Sequence, residues 1–287
     1  MYDVIIIGAG PAGITAGLYT QRGNLKTLII HNGKTSLENA NKIENYYGFE
    51  NGITGKELYF QGIRQAQNIG IDVKNEEVIK IEMIEKSFKV KTAKNEYISK
   101  TIIIAMGTKK KTLQIDGVKQ FEGRGISYCA ICDGFFYRNK DVAVIGNGDY
   151  AISEVNDLLS VVNKITILTN GKNAPDVRSE KVEINNKSIK EIFGHEKVEK
   201  IEFSDGTNID INGIFIAQGT ADSTDIAKKI GLVLENNKIK VNENMETNIK
   251  GIYACGDCIG GTFQISKAVN DGMKAGLNVI KYLNSYK

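Results

Sequence analysis

Apolar and polar positions change period several times along this chain, and the changes mark out its elements. An unbroken apolar run, "YDVIIIG" at 2–8, leads into "AGITAGLYTQRG", whose apolar positions recur every three to four residues, and then into a second apolar run, "KTLIIH" at 26–31. Continuous runs joined by helical periodicity predict a strand, a helix and a strand, the strands buried on both faces. From 73 to 104 the period falls to two, in "EVIKIEMIE", "SFKVKT" and "YISKTIIIAMG", as in a β-meander. A second start of the first kind follows: "DVAVIG" at 141–146, a helix over roughly 150–162, and "KITILT" at 164–169. Near the end, "IKGIYACGDC" reads as a strand ending in Gly256 and Asp257. The closing stretch "FQISKAVNDGMKAGLNVIKYLNSY" has helical spacing in Ile265, Ala268, Val269, Met273, Leu277 and Ile280. The fold class expected is α/β, with two Rossmann-like, three-layer units.

Length and composition sharpen this without redirecting it. At 287 residues the chain exceeds the usual single domain of about 100–200 residues, so two domains are expected. A hydrophobic content of 41% with 25% charged residues is ordinary for a folded globular chain. The apolar runs fall far short of the ~18 residues of a membrane span, and no charged region precedes the first, so a cytoplasmic protein without a secretory leader is expected. The net charge of +3, from 37 basic and 34 acidic residues spread along the chain, argues against a nucleic-acid partner. The run Lys109, Lys110, Lys111 reads as a solvated face.

The chemistry concentrates in four motifs. "GAGPAG", between the first strand and helix, carries Gly8, Gly10 and Gly13 in dinucleotide-binding spacing. The first glycine allows the tight turn, the second lets a pyrophosphate approach the backbone, and the third lets helix pack on strand. "GNGDYA" repeats the form with Gly146, Gly148 and Ala151. All four cysteines lie in two CxxC pairs, "YCAICDGFF" at 128–136 and "ACGDCIGG" at 254–261. The first pair alone leaves a metal clip, a structural staple and a redox couple open; in a reducing cytosol such pairs are more often catalytic or metal-binding than structural. Cysteines at i and i+3 can close a small disulfide that exchanges through a thiolate, and the adjoining Asp133 can carry the proton that thiol and thiolate trade.

Together, "DVIIIGAGPAGITAGLY", "IENYYGFENGITGKEL", "YCAICDGFFYRNKDVAVIGNG" and "VNENMETNIKGIYACGD" with the helix after it make the chain resemble the low-molecular-weight thioredoxin reductases over nearly its whole length. That resemblance implies an FAD domain over 1–112 plus 245–287, an inserted redox domain of nucleotide-binding fold over 113–244, and a homodimer. It implies that Gly8, Gly10 and Gly13 hold the FAD pyrophosphate, that Asn45 and Gln264 lie near the flavin, that Gly107 closes the adenosine side, and that Gly256 and Asp257 meet the ribityl chain. Cys132 resembles the sulfur that exchanges with the flavin, Cys129 the one that meets a thioredoxin disulfide, and Asp133 the general acid. Cys255 is then expected as a packed strand residue and Cys258 as incidental; a shared metal site is the competing reading.

Several departures cluster on the electron donor. NADPH-using members carry an arginine-rich segment after the second unit's second strand, whereas here the strand runs into "ITILTNGKNAPDV", with Lys172 and Arg178 out of register. Residues 169–188 look too short for a further helix, Tyr150 stands at a loop position that is usually small, and the last helix lacks the arginine that commonly precedes the glutamine. His31 stands where a ribose-binding acid is expected. These features resemble the ferredoxin-dependent flavin thioredoxin reductases, implying a ferredoxin donor and an inserted domain without a nucleotide. The competing expectation is an NAD(P)H-dependent reductase with atypical nucleotide contacts.

Overall fold

The computed structural model describes residues 1–108 and 113–285. The chain runs through β1 (Tyr2–Ile7), α1 (Pro11–Arg22), β2 (Thr27–His31), a 3-10 turn at Ser36–Asn39, α2 (Gly55–Asn68), β3 (Asp72–Asn75), β4 (Val78–Ile84), β5 (Ser87–Thr92) and β6 (Glu96–Ile104). It continues through α3 (Val118–Phe121), β7 (Ile126–Ser127), α4 (Ala130–Asp133), a 3-10 turn at Gly134–Tyr137, β8 (Asp141–Ile145), α5 (Asp149–Leu158) and β9 (Lys164–Leu168). Then come β10 (Val182–Asn185), β11 (Ile189–Gly194), β12 (Val198–Phe203), β13 (Asn208–Asp210) and β14 (Gly213–Ile216). It closes with α6 (Ser223–Ile230), β15 (Leu234–Glu235), β16 (Lys238–Ile239), β17 (Ile252–Ala254), a 3-10 turn at Gly256–Ile259 and α7 (Ile265–Asn284). Two compact units result: Met1–Lys109 with Asp222–Lys287, and Lys110–Ala221. The lysine run at 109–111 lies outside the described residues.

In the first unit, parallel strands stand in the order β3-β2-β1-β6-β17, and the N-terminal half of β6 turns into an antiparallel meander with β5 and β4. Ile5 is flanked by Leu28 and Ile102, all three completely buried, which is why β1, β2 and the end of β6 read as unbroken apolar runs. α7 lies on α1. Its buried face is Ala268, Asp271, Gly272, Ala275, Gly276, Val279 and Leu283, while Leu277 is exposed, so the apolar stripe expected from spacing is displaced. The reason is close approach: a Cβ on Gly272 would stand 2.1 Å from the Ala12 carbonyl oxygen, so small residues rather than large apolar ones mark the contact.

The second unit repeats the plan, with a wholly parallel sheet β10-β9-β8-β14-β7 and a three-stranded antiparallel meander β11-β12-β13. Its core joins Ile145, Leu168, Ile214 and Ile216 of the sheet to Ile192, Ile201 and Phe203 of the meander. As the short 169–188 interval implies, no helix lies between β9 and β10; β10 itself, at 182–185, was not foreseen. The first unit resumes at Asp222, ahead of the 245 expected from the sequence. Helix α6 belongs to the first unit because its apolar Ile226, Ala227 and Ile230 are buried where it meets β4 and β16, and its Ser223 hydroxyl donates to the Gly107 carbonyl at 3.1 Å. No helix among the described residues is long and apolar enough to cross a membrane.

Candidate redox site and cofactor cradle

In the first unit the turn after β1 is held by the Gly8 N–H, which donates to Ile30 O at 2.8 Å. A Cβ on Gly13 would stand 1.9 Å from Gly8 O, so helix and turn can approach this closely only with glycine there. A Cβ on Gly10 would meet nothing within 4 Å. α1 starts from Gly10 with no side-chain cap and no acidic residue in its first turn. An open turn under uncapped helical N–H groups is what a diphosphate needs. Further along, the Asn45 Nδ2 donates to Gln264 Oε1 at 3.1 Å, joining residues far apart in sequence. Gly107 lies just past β6, and Gly256 opens the 3-10 turn that carries Asp257. Burial raises the pKa of the half-buried Asp257, while Lys267 and Lys238 oppose that shift.

Two residues that support this turn escaped the sequence reading. The buried Asp271 Oδ2 accepts from the Gly256 N–H at 3.2 Å and pairs with Lys267 Nζ at 2.8 Å. Lys267 in turn donates to the carbonyls of Gly256 at 2.9 Å and Gly260 at 2.6 Å. Both ends of the Gly256 peptide are thus pinned beside Asp257. The available signal was an i,i+4 pair of opposite charges, with the acid on the helix's buried face.

In the second unit Cys129 and Cys132 form a disulfide across 5.3 Å between Cα atoms. Cys129 is 2% exposed at the start of α4, whereas Cys132 is exposed, so a reductant reaches Cys132 first. Asp133 accepts from the Ser127 hydroxyl at 2.6 Å, and Ser127 Oγ also accepts from the Cys129 N–H at 3.0 Å. The Ala130 N–H donates at 2.6 Å to Glu154, a carboxylate 1% exposed on α5. Neither Ser127 nor Glu154 was anticipated. Ser127 leaves no pattern in sequence, but an acid within the stripe Tyr150, Ala151, Glu154, Val155 and Leu158 is a visible anomaly on a buried helix face. Tyr150 is not in a loop, as expected, but in the first turn of α5, fully buried, its hydroxyl donating to Tyr128 O at 3.1 Å. It braces the dithiol segment from beneath.

The second glycine loop differs from the first. Its helix opens with Asp149, a carboxylate at the end where a phosphate would sit, and Asn147 Nδ2 donates to Asn173 O at 3.3 Å. Lys172 is exposed and Arg178 pairs with Asp176 at 3.6 Å with 91% of its side chain exposed. Cys255 and Cys258 are free, buried thiols in the first unit; Cys258 Sγ donates to Cys255 O at 3.2 Å. Burial pushes the Cys258 thiol up to about 12 and raises Cys255 as well. Among the described residues no group of three or more His, Cys, Asp or Glu could hold a metal ion.

A duplicated dinucleotide-type fold, one glycine turn open to a diphosphate and a CxxC disulfide backed by an acid together define a flavin-linked disulfide oxidoreductase. Residues 2–272 match the family of pyridine nucleotide-disulphide oxidoreductases. The chain is 35% identical to a thioredoxin reductase of Ureaplasma parvum, covering 99% of this chain and 97% of that one. Among solved structures it resembles the atypical thioredoxin reductase TRi of Desulfovibrio vulgaris Hildenborough, with 33% identity, a TM-score of 0.90 and 99% of each chain covered. It also resembles a ferredoxin-flavin thioredoxin reductase of Clostridium acetobutylicum, with 34% identity, a TM-score of 0.71 and coverage of 99% and 98%. The chain therefore belongs to the pyridine nucleotide-disulphide oxidoreductases and, within them, to the low-molecular-weight thioredoxin reductases, which are FAD-dependent flavoproteins.

Proposed function

We propose that this chain reduces the disulfide of a thioredoxin through FAD and the Cys129–Cys132 pair, with electrons drawn from a reduced ferredoxin rather than from NADPH. The observation that carries the donor is the contrast between the two helix N-termini: α1 opens without an acid, whereas α5 opens with Asp149. An anion is favoured at the positive end of a helix, and a carboxylate already there repels a second one. The missing helix after β9 and the exposed, paired state of Arg178 support the same reading. So does the likeness to the Clostridium acetobutylicum ferredoxin-flavin enzyme.

In this reading Gly8, Gly10 and Gly13 hold the FAD diphosphate, Asn45 and Gln264 face the flavin, Gly107 flanks the adenosine, and Asp257, steadied by Gly256, meets the ribityl chain. The flavin supplies the ability to collect electrons singly and release them as a pair. Cys132, the exposed sulfur, would take that pair, with Cys129 leaving it as a thiolate. Asp133, oriented by Ser127, protonates the departing Cys129 thiolate and takes the proton back when Cys129 attacks. The Cys129 thiolate then attacks the partner disulfide, Cys132 resolves the mixed disulfide, and the pair closes again with two electrons passed on. Ile131, Phe135 and Phe136, exposed at 46%, 68% and 70%, give the dithiol an apolar rim for a protein partner.

Anaerobic mixing of the oxidised protein with NADPH, NADH or reduced ferredoxin tests the donor. Flavin bleaching is expected with ferredoxin alone; rapid bleaching by NADPH would establish instead a nucleotide-dependent reductase with atypical contacts.

A further inference from the structure

His31 ends β2, beside the turn that follows β1, at the place where nucleotide-binding folds of this type put an acid that accepts from the adenosine ribose. Two donors converge on its Nδ1. The Gly33 N–H reaches it at 3.1 Å and the Tyr59 hydroxyl lies at 3.0 Å. A backbone N–H can only donate, so Nδ1 carries the lone pair and the neutral ring bears its proton on Nε2. Burial lowers the His31 pKa, in the direction that keeps the ring neutral. The ring cannot flip to exchange the roles of its nitrogens without stranding the Gly33 N–H. Tyr59 is itself 4% exposed and its ring meets that of His31 edge to face, so the orientation is fixed from α2 as well. Among the described residues, no protein group is bonded to Nε2.

We infer that His31 is a ligand of the adenosine ribose of FAD, presenting a fixed Nε2–H donor to a ribose hydroxyl oxygen where relatives of this fold present an acceptor. The inference rests on the first unit being the FAD site. It makes the ribose hydroxyl an acceptor toward the protein, with Tyr59 and Gly33 as positioning groups that set the tautomer.

The test uses the full chain, stripped of flavin and reconstituted with FAD or with analogues whose adenosine ribose lacks either the 2′ or the 3′ hydroxyl. For the native chain at least one analogue is expected to bind about 3- to 10-fold more weakly than FAD, the range of a single neutral hydrogen bond. In His31→Ala that penalty is expected to vanish, FAD and the analogue binding alike. Equal binding of all three flavins by the native chain, or an undiminished penalty in His31→Ala, overturns the inference. Should His31→Ala not fold, the native holoprotein decides by nitrogen-15 NMR, because the chain has only two histidines to assign. A proton on Nε2 of His31, with its nitrogen shift altered between FAD and the weaker analogue, supports the assignment. A proton on Nδ1, or no change, refutes it. Failure to take up any flavin would instead refute the FAD site itself.

Discussion

At the scale of single residues, the first pair of cysteines and the second are set apart by burial. Cys132 stands in the open and Cys129 is bonded to it, whereas Cys255 and Cys258 are sealed inside the first unit with raised pKa values. Thiolate, not thiol, reacts, so iodoacetamide at neutral pH is expected to label no cysteine of the native oxidised protein. Two are expected to be labelled in denaturant and four in denaturant with reductant, as read by mass spectrometry; labelling of Cys258 in the native chain would contradict its burial. Cys129→Ser and Cys132→Ser are each expected to abolish thioredoxin reduction while retaining flavin. Asp133→Asn is expected to slow it by roughly 10²- to 10⁴-fold, the usual loss for an acid-base group. A pH dependence follows from His31. Its pKa lies below the ordinary value when folded, so the unfolded chain binds the proton first. The stability tied to the neutral ring is complete above about pH 6.5 and is lost as pH falls through the folded pKa. Tyr59 on α2 and the Gly33 N–H face the ring, Asn75 of β3 pairs with it in the sheet, and Glu38 acts on Tyr59. The melting-temperature gap between the native chain and His31→Gln should narrow between pH 7 and pH 5.

At the scale of elements, helix contacts decide what periodicity cannot. The spacing in "ISKAVNDGMKAGL" selected Met273 and Leu277, yet α7 meets α1 through Gly272 and Gly276, where backbone rather than side chain is in contact. Gly272→Ala drives a methyl into Ala12 O and is expected to destabilise the first unit by about 1–3 kcal/mol, as overpacking does. Because Ala12 lies in the first turn of α1, flavin affinity should weaken along with stability. Urea unfolding and flavin titration of the same variant check both. Helix α6 shows the opposite case. Its capping box, Asp222 with Asp225, is plain in "DSTD" once the helix is known, and Asp222→Ala should cost about 1 kcal/mol. The sequence reading names no helix there, and its membership of the first unit depends on contact with β4.

At the scale of the whole molecule, two units with separate cores, the first carrying the glycine turn open to a diphosphate, predict divided unfolding. The first unit's core runs through Val4, Ile6, Ile29 and Ile103, the second's through Ile145, Ile201 and Ile214. Calorimetry is expected to resolve two transitions, with excess FAD raising only one, because a ligand stabilises the state that binds it. A single transition moved as a whole would show that the units unfold together. The sequence by itself determined the strand–helix–strand starts, both glycine turns, the CxxCD block and the absence of an arginine cluster after β9. Each of these is a short-range pattern, written in residue type and spacing within a few positions. Only the tertiary structure decided that Asn45 meets Gln264, that Lys267 and Asp271 pin Gly256, that Ser127 and Glu154 hold the dithiol segment, and that the first unit resumes at Asp222. Those depend on which surfaces come together once the apolar runs are buried, and a polar group's partner there is set by proximity in space that no local period records.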